Sequence, residues 1–173
     1  MKKSLILLFV MALMLTTSAV AFSDNSEPGK EEQALEDLTS TSFARGDETE
    51  TDPWQIATLG QWNNVRNYLW EDHNDKHFLQ VADIDLNVLP WNTGEGWEPI
   101  GNGTNRFFGN FDGNGHTIEN LYINRPETNN IGLFGYLGDQ GILENVALLD
   151  VTVNGYDRVG SLIGHSVNDL GTP

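Results

Sequence analysis

Between Phe107 and Gly164 apolar and polar residues alternate over short runs, each broken by an Asp-Gly, an Asn-Gly or a lone glycine. Alternation of period two marks half-buried strands, and Asp112-Gly113-Asn114-Gly115 marks a tight reversal between two of them. A four-residue theme returns at a spacing of 25, first as Ile118-Glu119-Asn120-Leu121 and then as Leu143-Glu144-Asn145-Val146. A glycine-flanked apolar phrase also returns, as Ile131-Gly132-Leu133-Phe134-Gly135 and Val159-Gly160-Ser161-Leu162-Ile163-Gly164. Short strands with a repeat of this size predict an all-β solenoid, a short parallel β-helix of few coils over 107–173, in preference to an antiparallel sandwich. A spacing of 25 sets Leu121 over Val146 and Ile123 over Leu148, with Asn120 over Asn145 as an amide ladder at a bend. Gly132, Gly135, Gly160 and Gly164 read as corners where backbones approach closely.

Upstream, residues 52–106 read as an N-terminal cap. Asp52-Pro53-Trp54-Gln55-Ile56 is extended, because the residue before a proline is pushed out of the helical region. Thr58-Leu59-Gly60-Gln61 fits a capping box, and Leu59, Trp62, Val65 or Arg66, and Leu69 follow at helical spacing. This predicts a helix over about 58–70 that turns Gln61, Asn64 and Asn67 outward and lays its apolar stripe on the end of the β array. His77 to Leu86 is strand-like, with Ile84 and Leu86 on one face and Asp83 and Asp85 on the other. A loop over Asn87–Gly96 and an extended Trp97–Gly101 complete the cap.

The first residues change the picture of where the chain works. Lys2 and Lys3 precede an apolar run over Leu5–Leu15, and Ala19-Val20-Ala21 offers a small-residue cleavage site. That is the layout of a signal peptide, residues 1–21, cut after Ala21, and its core is too short to span a bilayer. The expected location is secreted or cell-surface, with no membrane insertion once the leader is gone. Residues 22–51 read as a disordered acidic linker, too poor in large apolar side chains to offset the entropy of ordering. There is no cysteine, so neither disulfides nor a lipid-modified cysteine are available. The net charge of −16, nearer −18 without Lys2 and Lys3, excludes nucleic acid and anionic membrane as partners.

The two glycine phrases resemble the GLUG repeat, whose usual form is VGGLVG. Gly109-Asn-Phe-Asp-Gly-Asn-Gly-His-Thr-Ile118 resembles the segment that precedes such arrays. Asp52–Ile56, Trp62–Leu69 and Ala82–Leu86 are similar to the same family's N-terminal section, so the resemblance covers about residues 52–166. It implies a right-handed β-helical array in a bacterial or archaeal surface or secreted protein, some of which are adhesin-like. GLUG repeats also accompany certain immunoglobulin-cleaving metallopeptidases. Two departures are Ser161 in place of glycine and a first phrase one residue shorter than the second. Because a solenoid of two clear coils leaves an end exposed, the chain is expected to be the N-terminal piece of a longer array, and to self-associate end to end.

Candidate chemistry is sparse. His73-Asn74-Asp75-Lys76-His77 has the histidine spacing of a zinc peptidase helix but puts Asn74 where the general base belongs. Asp83 and Asp85 share a strand face, as paired carboxylates for glycosidic cleavage or calcium would, but they fit the solvated side of an amphipathic strand better. Asp112–Gly115 lacks calcium-loop spacing, His116 reads as a coil-packing residue, and His165 has no evident partner. Trp54, Trp70, Trp91, Trp97, Tyr136 and Tyr156 include candidates for stacking on sugars. Trp91, in a polar, glycine-flanked loop, is the first choice; Trp62 and Trp97 read as core. Asn102-Gly103-Thr104 matches a glycosylation acceptor, which a bacterial-looking leader makes irrelevant. No catalytic residue, metal or cofactor is expected. The reading is a secreted or cell-surface, non-enzymatic, adhesin-like binding protein whose partner is an extracellular glycan or a host or matrix protein. The alternatives are the non-catalytic N-terminal region of a polysaccharide-active enzyme or metallopeptidase, and a carbohydrate-binding module.

Overall fold

The computed structural model describes residues 37–38, 42–70 and 73–167; the leader, 1–21, and most of the expected linker lie outside them. The elements in order are β1 (Trp54–Ile56), α1 (Leu59–Asn64), a 3-10 turn (Val65–Asn67), β2 (His77–Gln80) and β3 (Ile84–Asp85). Then come β4 (Asn110–Asp112), β5 (Thr117–Glu119), β6 (Tyr122–Ile131), β7 (Phe134–Leu137), β8 (Ile142–Glu144), β9 (Ala147–Leu149), β10 (Thr152–Val159) and β11 (Ile163–Ser166). Every strand pair is parallel and joins successive passes of the chain, in stacks ordered β1-β2-β4-β8, β3-β5-β9, β6-β10 and β7-β11. This is a β-solenoid of about three turns. Coil 2 comprises β4 to β7 and coil 3 comprises β8 to β11. Coil 1 starts with β2 and β3, then supplies single bridges from Gly96, Ile100 and Phe107 to the coil above.

The register corrects the expected spacing. Ile118 pairs with Leu148 and Ile123 with Val153, an offset of 30 residues rather than 25. Leu121 therefore lies under Val151, not Val146, and Asn120 donates its N–H to Leu149 O instead of facing Asn145. The Ile-Glu-Asn-Leu theme misled because it describes a local job, a short strand followed by a left-handed bend, with φ of 58° at Asn120 and 52° at Asn145. That job is done at two different corners, β5 to β6 and β8 to β9. The glycine phrases do stack: Val159 pairs with Ile131 and Ile163 with Phe134, while Leu133 and Phe134 donate to Ser161 O and Leu162 O. The extra residue of the second phrase is taken up between Gly160 and Ile163. A Cβ on Gly132 would lie 2.7 Å from Gly160 O and 3.0 Å from Gly164 N, so only glycine permits this approach.

The interior is aromatic. Phe78, Phe107, Phe111 and Phe134 are buried, with ring centroids 5.0 Å apart for Phe107–Phe134 and 5.8 Å for Phe111–Phe134. From α1, Trp62 drops between Trp97, Phe111 and Phe134 at 6.0, 5.0 and 5.6 Å. Burying side chains of this size contributes roughly 1.5–3 kcal/mol each. The helix is much shorter than expected, since Gly60, Asn63, Asn64 and Asn67 are poor helix formers and only a 3-10 turn follows. Thr58 Oγ1 accepts from Gln61 N at 3.3 Å. Gln61 and Asn64 are not outward but buried. Gln61 Oε1 accepts from Ala57 N at 2.8 Å, and its Nε2 donates to Ser42 O at 2.9 Å.

That last bond belongs to a second correction. Residues 42–51, expected within the linker, are part of the fold. Ala44 N donates to Gln55 O and Gln55 N to Arg45 O, covering the outer edge of β1, and His77 N donates to Glu48 O. Phe43, the segment's large apolar side chain, stacks on Trp54 at 4.7 Å. The opposite end is open among the described residues. Val159 is 46% exposed where Ile131 beneath it is 0%, and Ile142, Leu149 and Tyr156 of the same coil are exposed too.

Candidate functional site

The carboxylates expected on the outside of the strands are fasteners between coils. Asp83 Oδ1 accepts from Thr117 N at 2.9 Å, and His116 Nδ1 stands 3.2 Å from the same oxygen. The Thr117 N–H first, and His116 second, hold the Asp83 carboxyl below the usual carboxylate range. Asp85 Oδ1 accepts from Asn120 Nδ2 at 2.8 Å, and Asp112 Oδ1 from Asn145 Nδ2 at 2.9 Å. Each asparagine thus hooks a carboxylate one coil down. Side-chain rungs do climb the stack, as acid-to-amide pairs, with Asn154 Nδ2 to Asn124 Oδ1 at 2.9 Å as an all-amide example. With their oxygens engaged this way, Asp83 and Asp85 serve the coil joints. Among the described residues no three His, Asp or Glu side chains gather as a metal set.

Trp91 is half-buried and packs against the core, its ring 6.1 Å from Trp97, and its backbone N–H is donated to Val88 O. Trp54 and Trp97 are packing residues as well. Of the sugar-stacking candidates, Trp70 (52% exposed) and Tyr156 (72%) are the open ones. Gly132 and Gly160 sit at the β6–β7 and β10–β11 corners, whereas Gly135 and Gly164 lie within β7 and β11 rather than at corners; all four allow close backbone approach and present no side chain to a ligand.

Two recesses among the described residues carry side chains that could meet a ligand. One, of about 240 Å³, runs over the outer face of β2, β4 and β8, where Glu50, Asp112 and Glu144 make its lining acidic beside His77 and Asn110. The other, of about 330 Å³, lies beside the end of the 3-10 turn and is formed by Leu69, Trp70, Gly103, Thr104, Arg106 and Phe108. Its lip is held by Asn102, whose Oδ1 accepts from Thr104 N and Asn105 N, both at 2.9 Å. Thr104 stands out in the sequence only as part of a glycosylation acceptor and Arg106 not at all; the available signal is a lone arginine between an Asn-rich turn and two phenylalanines.

Among the described residues no helix is long and apolar enough to cross a membrane. No family model matches the chain, so the likeness to GLUG repeats is a resemblance of the phrases alone. No solved structure matches it. The chain is 44% identical over 130 residues to the "Putative Gly-rich membrane protein" of Evansella cellulosilytica, a match covering 73% of this chain and 15% of that one. It is 35% identical over 134 residues to halomucin of Haloquadratum walsbyi, covering 75% of this chain and 1% of halomucin. The chain therefore spans only a small part of the curated relatives it matches.

Proposed function

We propose that this chain is an exported, surface-displayed β-solenoid module whose work is adhesin-like binding rather than catalysis. The observation that carries the reading is where its likenesses fall. About three-quarters of the chain is shared with a protein named for the membrane and with halomucin, in each case as a small part of a far longer chain. A stack of coils suits such a module, since each coil contacts only its neighbours and outward positions can vary without disturbing the ladder. Strong acidity keeps an exported surface soluble. The leader delivers the chain, and cleavage after Ala21 leaves Phe22 as the new N-terminus. The partner is an extracellular glycan or a host or matrix protein.

The test is protease shaving of intact producing cells, followed by immunodetection of the chain and mass determination of the mature N-terminus. Loss of the signal from intact cells and a chain beginning at Phe22 are expected. A chain protected until the cells are broken, still carrying its leader, refutes the proposal.

A further inference from the structure

We propose that the recess formed by Trp70, Thr104 and Arg106 over Leu69 and Phe108 binds a carboxylate-bearing sugar, a hexuronate unit of an acidic glycan. Three properties coincide there. The floor is apolar, since Leu69 and Phe108 are 8% and 6% exposed, and the exposed Trp70 indole adds a flat apolar wall suited to the C–H face of a pyranose. The volume, about 330 Å³, is at the small end of the roughly 300–1,000 Å³ range of ligand sites, enough for one sugar unit with its neighbours outside.

The third property is charge. In a chain with 25 acids and 9 Lys and Arg, most described cations have found a carboxylate. Arg66 reaches Glu98 at 3.3 Å, Lys76 reaches Glu48 at 2.7 Å, Arg125 reaches Glu95 at 2.7 Å and Arg158 reaches Asp157 at 3.8 Å. Arg106 has no such partner and no hydrogen bond among the described residues. Instead its Cζ lies 4.8 Å over the Tyr136 ring centroid, and His165 meets that ring edge-on at 4.6 Å. A guanidinium held near a ring face by cation–π attraction, with no carboxylate of its own, keeps its N–H donors for a planar, two-oxygen acceptor, which is how arginine takes a carboxylate. No described acid lines the recess, whereas Glu50, Asp112 and Glu144 line the other one. A neutral sugar would leave the guanidinium unanswered, and a bare anion would leave the indole and floor uncovered. The choice of a glycan as carrier rests on the surface-display reading; the preference for a ring bearing a carboxylate does not.

The experiment is an NMR titration of the purified full chain, following its tryptophan indole N–H signals. The probes are oligogalacturonate, a neutral galactose oligomer, and acetate. The Trp70 signal should move with oligogalacturonate, and weaken with added salt, because the pairing is solvent-accessible. Arg106→Gln should loosen binding about tenfold or more, and Arg106→Lys less, since charge remains while the fork is lost. Trp91→Ala should bind as wild type does. An equal response to the neutral oligomer, or to acetate alone, overturns the proposal. So does unchanged affinity in Arg106→Gln or in Trp70→Ala, the latter a change at an exposed ring that should leave folding intact. Cell-surface shaving can succeed or fail independently of these results.

Discussion

Trp62 carries the junction between the N-terminal cap and the coils, and its replacement separates two contributions. The side chain is 1% exposed and meets Trp97, Phe111 and Phe134, so Trp62→Ala removes three ring contacts and opens a cavity. Deletions of this kind cost about 3–5 kcal/mol. For a folded unit of this size the loss corresponds to a fall in Tm of about 10–15 °C. Its indole Nε1, however, is buried with no hydrogen-bond partner among the described residues. An unanswered buried donor costs about 1–3 kcal/mol. Trp62→Phe keeps a ring among the same neighbours, loses roughly 1–2 kcal/mol of packing, and is relieved of that unanswered N–H. The two nearly cancel, so Trp62→Phe should melt within a few degrees of wild type. Thermal and urea unfolding followed by circular dichroism measure both variants without relying on the removed fluorophore. If Trp62→Phe is as damaging as Trp62→Ala, the N–H is satisfied and the reasoning is wrong. If Trp62→Ala melts like wild type, α1 does not clamp the coils.

Gly132→Ala forces a methyl group to 2.7 Å from Gly160 O, so coils 2 and 3 must part, and a loss of about 1–3 kcal/mol is expected by urea titration; no loss would mean the glycine phrases are not stacked. Asn145 holds a φ of 52° and a 2.9 Å bond to Asp112, so Asn145→Ala should cost about 1–2 kcal/mol and Asn145→Gly clearly less, the reverse order arguing against the bend. Because the folded Asp83 carboxyl is depressed, the unfolded chain binds more protons in acid. Its contribution is present above the unfolded value and disappears as pH falls through the folded one; Asp83→Asn should flatten the fall of the urea midpoint at and below the ordinary carboxylate range, and an unchanged slope would exclude Asp83 as its source. Exposed Leu149, Tyr156 and Val159 on coil 3 lead us to expect concentration-dependent association that Val159→Lys abolishes, and a sedimentation coefficient constant across concentration would contradict this.

What could be read from the residues depended on whether a motif encodes contact or conformation. The glycine phrases encode contact: two backbones approach, so both copies must be small, and their likeness tracked real vertical neighbours. The Ile-Glu-Asn-Leu theme encodes conformation, a strand ending in a left-handed residue, and conformation recurs at any corner. Its spacing of 25 therefore measured corner to corner and missed the coil-to-coil offset of 30. The helix was overextended because its apolar stripe continues through Leu69 while asparagines break the backbone early. Residues 42–51 looked too polar to order, yet backbone pairing with β1 and the single ring of Phe43 suffice. Trp91 drew attention through its polar loop, but partial burial against Trp97 was invisible without coordinates. The recess at Trp70 and Arg106 joins residues 36 positions apart, which no local pattern connects.

Gly96 meets Ile123 in antiparallel sense, with Trp97 N donating to Tyr122 O and Asn124 N to Glu95 O, beneath a β6 edge that is otherwise parallel to β10. A reversed partner cannot propagate a parallel ladder. Together with α1 and the 44–45 edge it makes the two ends of the described coils unequal: one is covered by chain running the wrong way, while the other repeats the geometry of the layer below it. Any lengthening of this scaffold, in an engineered array or in an ancestral duplication, has only one direction in which to proceed.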